Sequence, residues 1–274
     1  MTYNKLKEKT SFYCRYEEEE KTMSLLKKIH PEQPLKELRW FDIGIVTLIM
    51  FGQFIVRSTQ MYMASLSPNL STAISETSTN TASEGAAYSS NFSLQLILLA
   101  LALAYLWIRH FDFKQLPVRL KWSLVFWVPF IFAIMGLFAD MVSTLSGQYN
   151  YFSPQVLAFI SPMAVLNKFL ALSPMAIAYG LLNGFYEEFF FLGLLTSVKD
   201  KYKWWVLLFS ILVRVSFHTY QGLLWALVIG VVFGLLYYFL YKYKVKNLLP
   251  FFLVHALADM FGSSLIYLLV NWNY

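Results

Sequence analysis

The stretch "GFYEEFFFLG", residues 184–193, sets two adjacent glutamates, Glu187 and Glu188, inside a run of phenylalanines. Which solvent surrounds that stretch decides the fold. The whole chain of 274 residues is 58% hydrophobic and 14% charged, whereas a soluble domain is roughly 45–50% apolar and about 25% charged. This balance points to a membrane protein. Its long apolar stretches predict one all-α, polytopic transmembrane helix bundle, and no repeat of fixed period is visible.

A formal charge of +6 would suit nucleic acid. The basic residues, however, gather in short loops beside apolar stretches, which is the pattern of membrane topology. Membrane lipid is therefore the expected partner and nucleic acid is not. A single cysteine, Cys14, excludes an intrachain disulfide and a cysteine-based metal cluster. Residues 1–39 read as a charged cytoplasmic tail with no apolar h-region, so no cleavable signal peptide is expected and the first span serves as an anchor.

Hydropathy predicts about seven crossings, near 41–65, 92–108, 122–142, 175–198, 204–219, 222–241 and 249–270. Segment 155–172, interrupted by Pro162 and Lys168, is expected to be a re-entrant or interfacial helix. The basic loops "RHFDFKQLPVRLK" (109–121), "KDKYK" (199–203) and "YKYKVKN" (241–247) then share the cytoplasmic side with the N-terminus. The Ser/Thr/Asn-rich stretch 66–91 has no Lys or Arg and is expected to be a flexible external loop. Its glycosylation-type matches at Asn69 and Asn91 are discounted as chance. Arg57, in the first span, either snorkels outward or faces the bundle. The organisation is thus a tail (1–39), N-terminal transmembrane helices with the polar loop 66–91 (40–169), and a C-terminal helical core (170–274).

Within the spans the ionisable residues are few: Glu187 and Glu188, Arg214 and His218, His255 and Asp259. Charged groups at such depth cost about 2.5–3.5 kcal/mol each on insertion scales, so they face the bundle and usually act there. Arg214 and His218 stand four residues apart and share a helix face, as do His255 and Asp259. Glu187 and Glu188 point about 100° apart, so they serve different roles. Carboxylates and histidines in a dry pocket suit general-base activation of water and stabilisation of an oxyanion, hence hydrolysis of a carbonyl such as a peptide bond. Gln221, at the end of the fifth span, is a further candidate donor. Two readings compete: a buried ion network that only locks helices together, and a proton or ion path. Two histidines and a glutamate would also suit zinc, but H-E-x-x-H is absent, so no metal or other cofactor is expected and zinc stays a variant.

Three motifs over about residues 170–270 resemble the CAAX protease and bacteriocin-processing (CPBP, or Abi) family of intramembrane endopeptidases. "EEFFFL" (187–192) is similar to that family's Glu-Glu-x-x-x-Arg, "RVSFH" (214–218) to Phe-x-x-x-His, and "HALAD" (255–259) to His-x-x-x-Asn/Asp. Leu192 stands where the family has Arg, and Arg214 where it has Phe, as though a cation had moved from the fourth span to the fifth to neutralise Glu188. The resemblance implies Glu187 as the base that activates water, His218 as the group that positions that water, and His255 with Asp259 on the oxyanion side. Glu188 and Arg214 are implied as support. It further implies an endopeptidase opening toward the membrane or the cytoplasm and acting on secreted peptides, bacteriocins or CAAX-type proteins. A non-catalytic membrane immunity or interaction protein is the alternative. Oligomeric state is not legible in the sequence.

Overall fold

The computed structural model describes residues 33–66 and 81–271. Expectations for the tail up to residue 32, and for the loop between 67 and 80, lie outside the described residues. Every regular element among the described residues is a helix, and the chain is a polytopic helical bundle as composition predicts. The elements are α1 (Trp40–Ser65), α2 (Thr81–Ile108), α3 (Leu124–Leu145), α4 (Pro162–Ala171), α5 (Pro174–Glu188, continued by a π-helical turn, Phe189–Leu194), α6 (Lys203–His218), α7 (Leu223–Val245), α8 (Leu249–Phe261) and α9 (Leu265–Leu269).

Four of these, α1, α2 from Ala87, α3 and α7, are long and apolar enough to cross a membrane, and the bent pair α4–α5 makes a fifth if it is one span. The other two of the expected seven crossings, α6 and α8, are shorter, and both run from the end of the basic loops toward the opposite end. α6 has 16 residues and α8 has 13, lengths of about 24 and 20 Å at 1.5 Å per residue, short of a hydrocarbon core about 30 Å thick. The predicted seventh span breaks at Gly262, whose φ of +78° suits glycine. α4 meets α5 at 101°, the geometry of a broken or re-entrant segment. Its prolines begin helices rather than interrupt them. Ser161 and Ser173 each cap a helix whose first residue is proline, accepting from the backbone N–H of Met163 and Ala176. The stretch 66–91 is likewise helical from Thr81. Its serines and threonines signalled a loop, but the apolar run that follows extends the helix back through Ala and Glu.

α5 lies between α2 and α8, α1 packs on α6 and α2, and α7 packs on α6. Lipid tails are as apolar as leucine, so helix association here depends on close contact and polar pairing rather than on escape from water. Gly180 and Gly184, one turn apart on α5, provide the closeness. A Cβ on Gly184 would lie 2.5 Å from the Phe252 carbonyl oxygen and 2.8 Å from the Ala256 nitrogen of α8. On α7, Gly230 does the same against Val215 of α6, with a Cβ at 2.5 Å.

Polar contacts fix the ends. At one end, buried Asp42 of α1 accepts from Arg109 Nε (2.6 Å) and Tyr105 Oη (2.8 Å) of α2. Leu38 N–H donates to the Ser197 carbonyl, and Asn247 bonds both the N–H and the carbonyl of Arg119. The three basic loops and the start of α1 thus meet at the same end. At the other end, Asp140 of α3 caps α9 by accepting from the Ser264 hydroxyl and from Ile266 N–H (2.9 Å). There Ser58 of α1 also bonds Thr219 and Tyr220 beyond α6.

Candidate active site

The close approach of α5 to α8 decides which side chains meet. One turn along from Gly184, Glu188 of α5 accepts from His255 Nδ1 of α8 at 2.8 Å. Its other oxygen accepts from Arg214 Nη2 of α6 at 2.6 Å, and both partners are buried. The Arg214 guanidinium also lies 3.9 Å from the centroid of the Phe191 ring, a cation–π contact strengthened by burial. Gly234 of α7 leaves room for it, since a Cβ there would stand 3.4 Å from Arg214 Cδ. Both of the second glutamate's oxygens are therefore engaged.

Glu187 points elsewhere on the helix, as the 100° step requires. It accepts from Asn183 Nδ2 through Oε1 (3.2 Å), and Oε2 lies 3.6 Å from His255 Nε2. That Oε2 is buried and has no hydrogen-bond partner. His255 Nε2 is also 3.9 Å from Asp259 Oδ2, so the ring bridges three carboxylates, one through Nδ1 and two near Nε2. Asp259 accepts from Asn183 Nδ2 at 2.9 Å. The five residues Glu187, Glu188, Arg214, His255 and Asp259 thus form one contact network. His218, the last residue of α6, stands on the same cavity wall, but its Nδ1–H donates to the Arg214 carbonyl (2.8 Å), so in the neutral tautomer Nε2 is the acceptor.

The cavity has a volume of about 620 Å³, ample for several residues of a peptide in an extended form. Glu187, Arg214, His218, His255 and Asp259 line it, whereas Glu188 sits behind them. Leu192 does not line it; the π-helical turn carries that side chain into the packed layer beneath, where it is 2% exposed. Four buried polar atoms without partners among the described residues, Gln95 Oε1, Glu187 Oε2, Arg214 Nε and Tyr237 Oη, belong to lining residues. Such atoms are rare in folded proteins and concentrate where a ligand or reactant binds.

Sequence reasoning passed over Asn183 and Gln95. Asn183 spends its amide hydrogens on Glu187 and Asp259, while its oxygen accepts from Gln95 Nε2 of α2 at 2.5 Å. The available signal was the four-residue spacing from Asn183 to Glu187 in "NGFYE", which places both on one face. Gln221 lines the cavity and donates to Tyr220 Oη (2.8 Å). Arg57 is exposed and lines the cavity, and Asn91 lines it from within α2. These residues lie at the end opposite the basic loops.

Donor atoms of Glu187, Glu188 and His255 lie within 4.8 Å of one another and could in principle hold a metal ion. Their present pairing works against one: a cation there would break the Glu188–His255 hydrogen bond and sit beside the Arg214 guanidinium.

No curated protein and no solved structure matches the chain. Residues 169–261 match a family model described as type II CAAX prenyl endopeptidase Rce1-like. The match spans the α5, α6 and α8 motifs and all five residues of the network, together with Asn183 and His218. The resemblance carried by "EEFFFL", "RVSFH" and "HALAD" is therefore shown as a similarity of residues 169–261, about a third of the chain, to CAAX-type intramembrane proteases.

Proposed function

We propose that the protein is an intramembrane endopeptidase that hydrolyses a peptide bond with a water activated by Glu187. The observation that carries this reading is the unequal state of the two glutamates: Glu188 is held by Arg214 and His255, while Glu187 keeps a buried oxygen without a partner in the cavity. A free, oriented carboxylate is what a general base needs.

In the proposed reaction Glu187 Oε2 takes a proton from water as the oxygen attacks the carbonyl carbon. His218, through its free Nε2, orients that water. The carbonyl π electrons move to oxygen, and the oxyanion is held from the His255 and Asp259 side, with His255 Nε2–H as donor. The proton then passes from Glu187 to the amide nitrogen, the C–N bond breaks, and the products are a carboxylate and an amine. Glu188 and Arg214 fix the ring of His255 and balance its charge. Asn183 holds Glu187 and Asp259 in place. No metal or cofactor is required by this scheme, and activity that survives a strong chelator is its expected behaviour.

The substrate is read as a secreted peptide, a bacteriocin or a CAAX-type protein, and the rival reading is a membrane immunity or interaction protein that keeps the network for packing alone. Mass spectrometry of peptides released by cells carrying the wild-type gene or Glu187→Gln separates the two. The peptidase reading expects at least one processed peptide to vanish with the variant while the protein stays inserted. Unchanged peptide profiles would favour the packing reading.

A further inference from the structure

Resting on that peptidase reading, we infer that the site takes a peptide segment from the non-cytoplasmic side of the membrane, not from the cytoplasm. Exposure grades along the site in one direction. The Glu188 side chain is 0% exposed, that of His255 11% and that of Asp259 24%. Beyond them the cavity wall continues to Tyr220 and Met61, which are exposed. All of this lies toward the C-terminal ends of α1, α6 and α8 and the N-terminal end of α2.

In the other direction the way is closed. Phe190, Phe191, Leu192, Leu195, Leu248 and Phe251 are each at most 2% exposed and fill the layer between the site and the basic loops. The ring of Phe51 packs on Phe190 and Phe191 with centroids 4.8 and 5.2 Å away. A peptide cannot pass through such a layer without unpacking it.

Charge then assigns the two ends to the two sides. Loops 109–121, 199–203 and 242–246 and the approach to α1 carry the Lys and Arg of one end, drawn together by the Leu38–Ser197 and Arg119–Asn247 contacts. At the other end the described residues include only Arg57 and Lys168 as Lys or Arg. Basic loops stay in the cytoplasm. The packed layer therefore faces the cytoplasm, and the cavity mouth, rimmed by Arg57, Met61, Tyr88 and Tyr220, faces out.

The orientation is tested without any need for activity. In a Cys14→Ser background, single cysteines are placed at the rim (Met61→Cys) and at the basic end (Lys201→Cys), and intact cells are treated with a membrane-impermeant maleimide. The rim cysteine is expected to label at least tenfold faster than Lys201→Cys, with both labelling after lysis. Labelling of Lys201→Cys from outside, with Met61→Cys reached only after lysis, would overturn the inference. A second arm adds a quenched-fluorescent peptide library to right-side-out and inside-out membrane vesicles. Cleavage confined to right-side-out vesicles, and lost in Glu187→Gln, is the expected result; cleavage confined to inside-out vesicles contradicts it. Cleavage in neither, with the rim cysteine labelled from outside, removes the peptidase reading and leaves the orientation standing.

Discussion

Replacing Arg214 with leucine removes the cation from a pair in which both side chains are almost wholly buried, with Nη2 and Oε2 2.6 Å apart. Breaking one side of such a pair typically costs about 3–5 kcal/mol, because the remaining charge is left without compensation in a low dielectric. Here the His255 hydrogen bond to Glu188 survives at 2.8 Å, which places the expected loss near the lower end, about 3 kcal/mol. The cation–π contact with Phe191 is lost as well, worth roughly 1–2 kcal/mol when desolvated. The assay is a double-mutant cycle read by thermal unfolding in detergent, with Arg214→Leu, Glu188→Gln and the two combined. Neutralising Glu188 removes the orphaned charge, so the double variant is expected to be more stable than the sum of the singles by about 2 kcal/mol, within the range for residues in direct contact. Additivity within about 0.5 kcal/mol would refute the claim that Arg214 exists to hold Glu188.

Gly184→Ala is expected to destabilise the protein by about 1–3 kcal/mol, since its new Cβ meets Phe252 and Ala256 backbone atoms that cannot yield. Gly52→Ala, whose nearest atom outside its own helix backbone would be Leu48 Cδ2 at 3.9 Å, is the control and is expected to raise stability slightly; equal losses in the two would remove the argument from close helix approach. Asn183→Leu keeps the volume but frees Glu187 and Asp259, so kcat is expected to fall about a hundredfold with KM within about twofold. A fall in thermal stability with kcat unchanged would make Asn183 a packing residue only. Asp140→Ala uncaps α9 and is expected to cost about 0.5–2 kcal/mol in thermal unfolding; no shift would mean that Ser264 alone holds the turn.

The charged half of the site was legible because an ionisable group in an apolar run has no innocent explanation. Glu187, Glu188, Arg214, His218, His255 and Asp259 all stand out from their neighbours in that way, and four-residue spacings put Arg214 with His218, and His255 with Asp259, on one face. Asn183 and Gln95 were passed over because a neutral amide costs far less to bury and raises no comparable alarm. The two Gly-x-x-x-Gly pairs, 180 with 184 and 230 with 234, are a sequence signature of close helix contact. They explain how three helices reach one point, a question the placement of charges leaves unasked. Hydropathy drew the last span too long, through Gly262, because it measures apolar length and not where a chain turns. α6 ends at His218 and α8 at Phe261, both at polar turns beside the cavity, so these helices deliver side chains to its wall. The Asp42–Arg109 pair escaped notice since each residue sits at the edge of a span, where a charge looks solvated.

Cleavage kinetics of purified, folded Glu187→Gln against wild type test the central claim most directly, with Glu188→Gln as the comparison. A positioned general base contributes about 10²–10⁴-fold, so the account predicts a loss of kcat of at least a hundredfold in Glu187→Gln with the thermal transition retained. It predicts a lower thermal transition for Glu188→Gln, whose role is to hold Arg214 and His255. A Glu187→Gln enzyme within tenfold of wild type would contradict the assignment of the free carboxylate as the base.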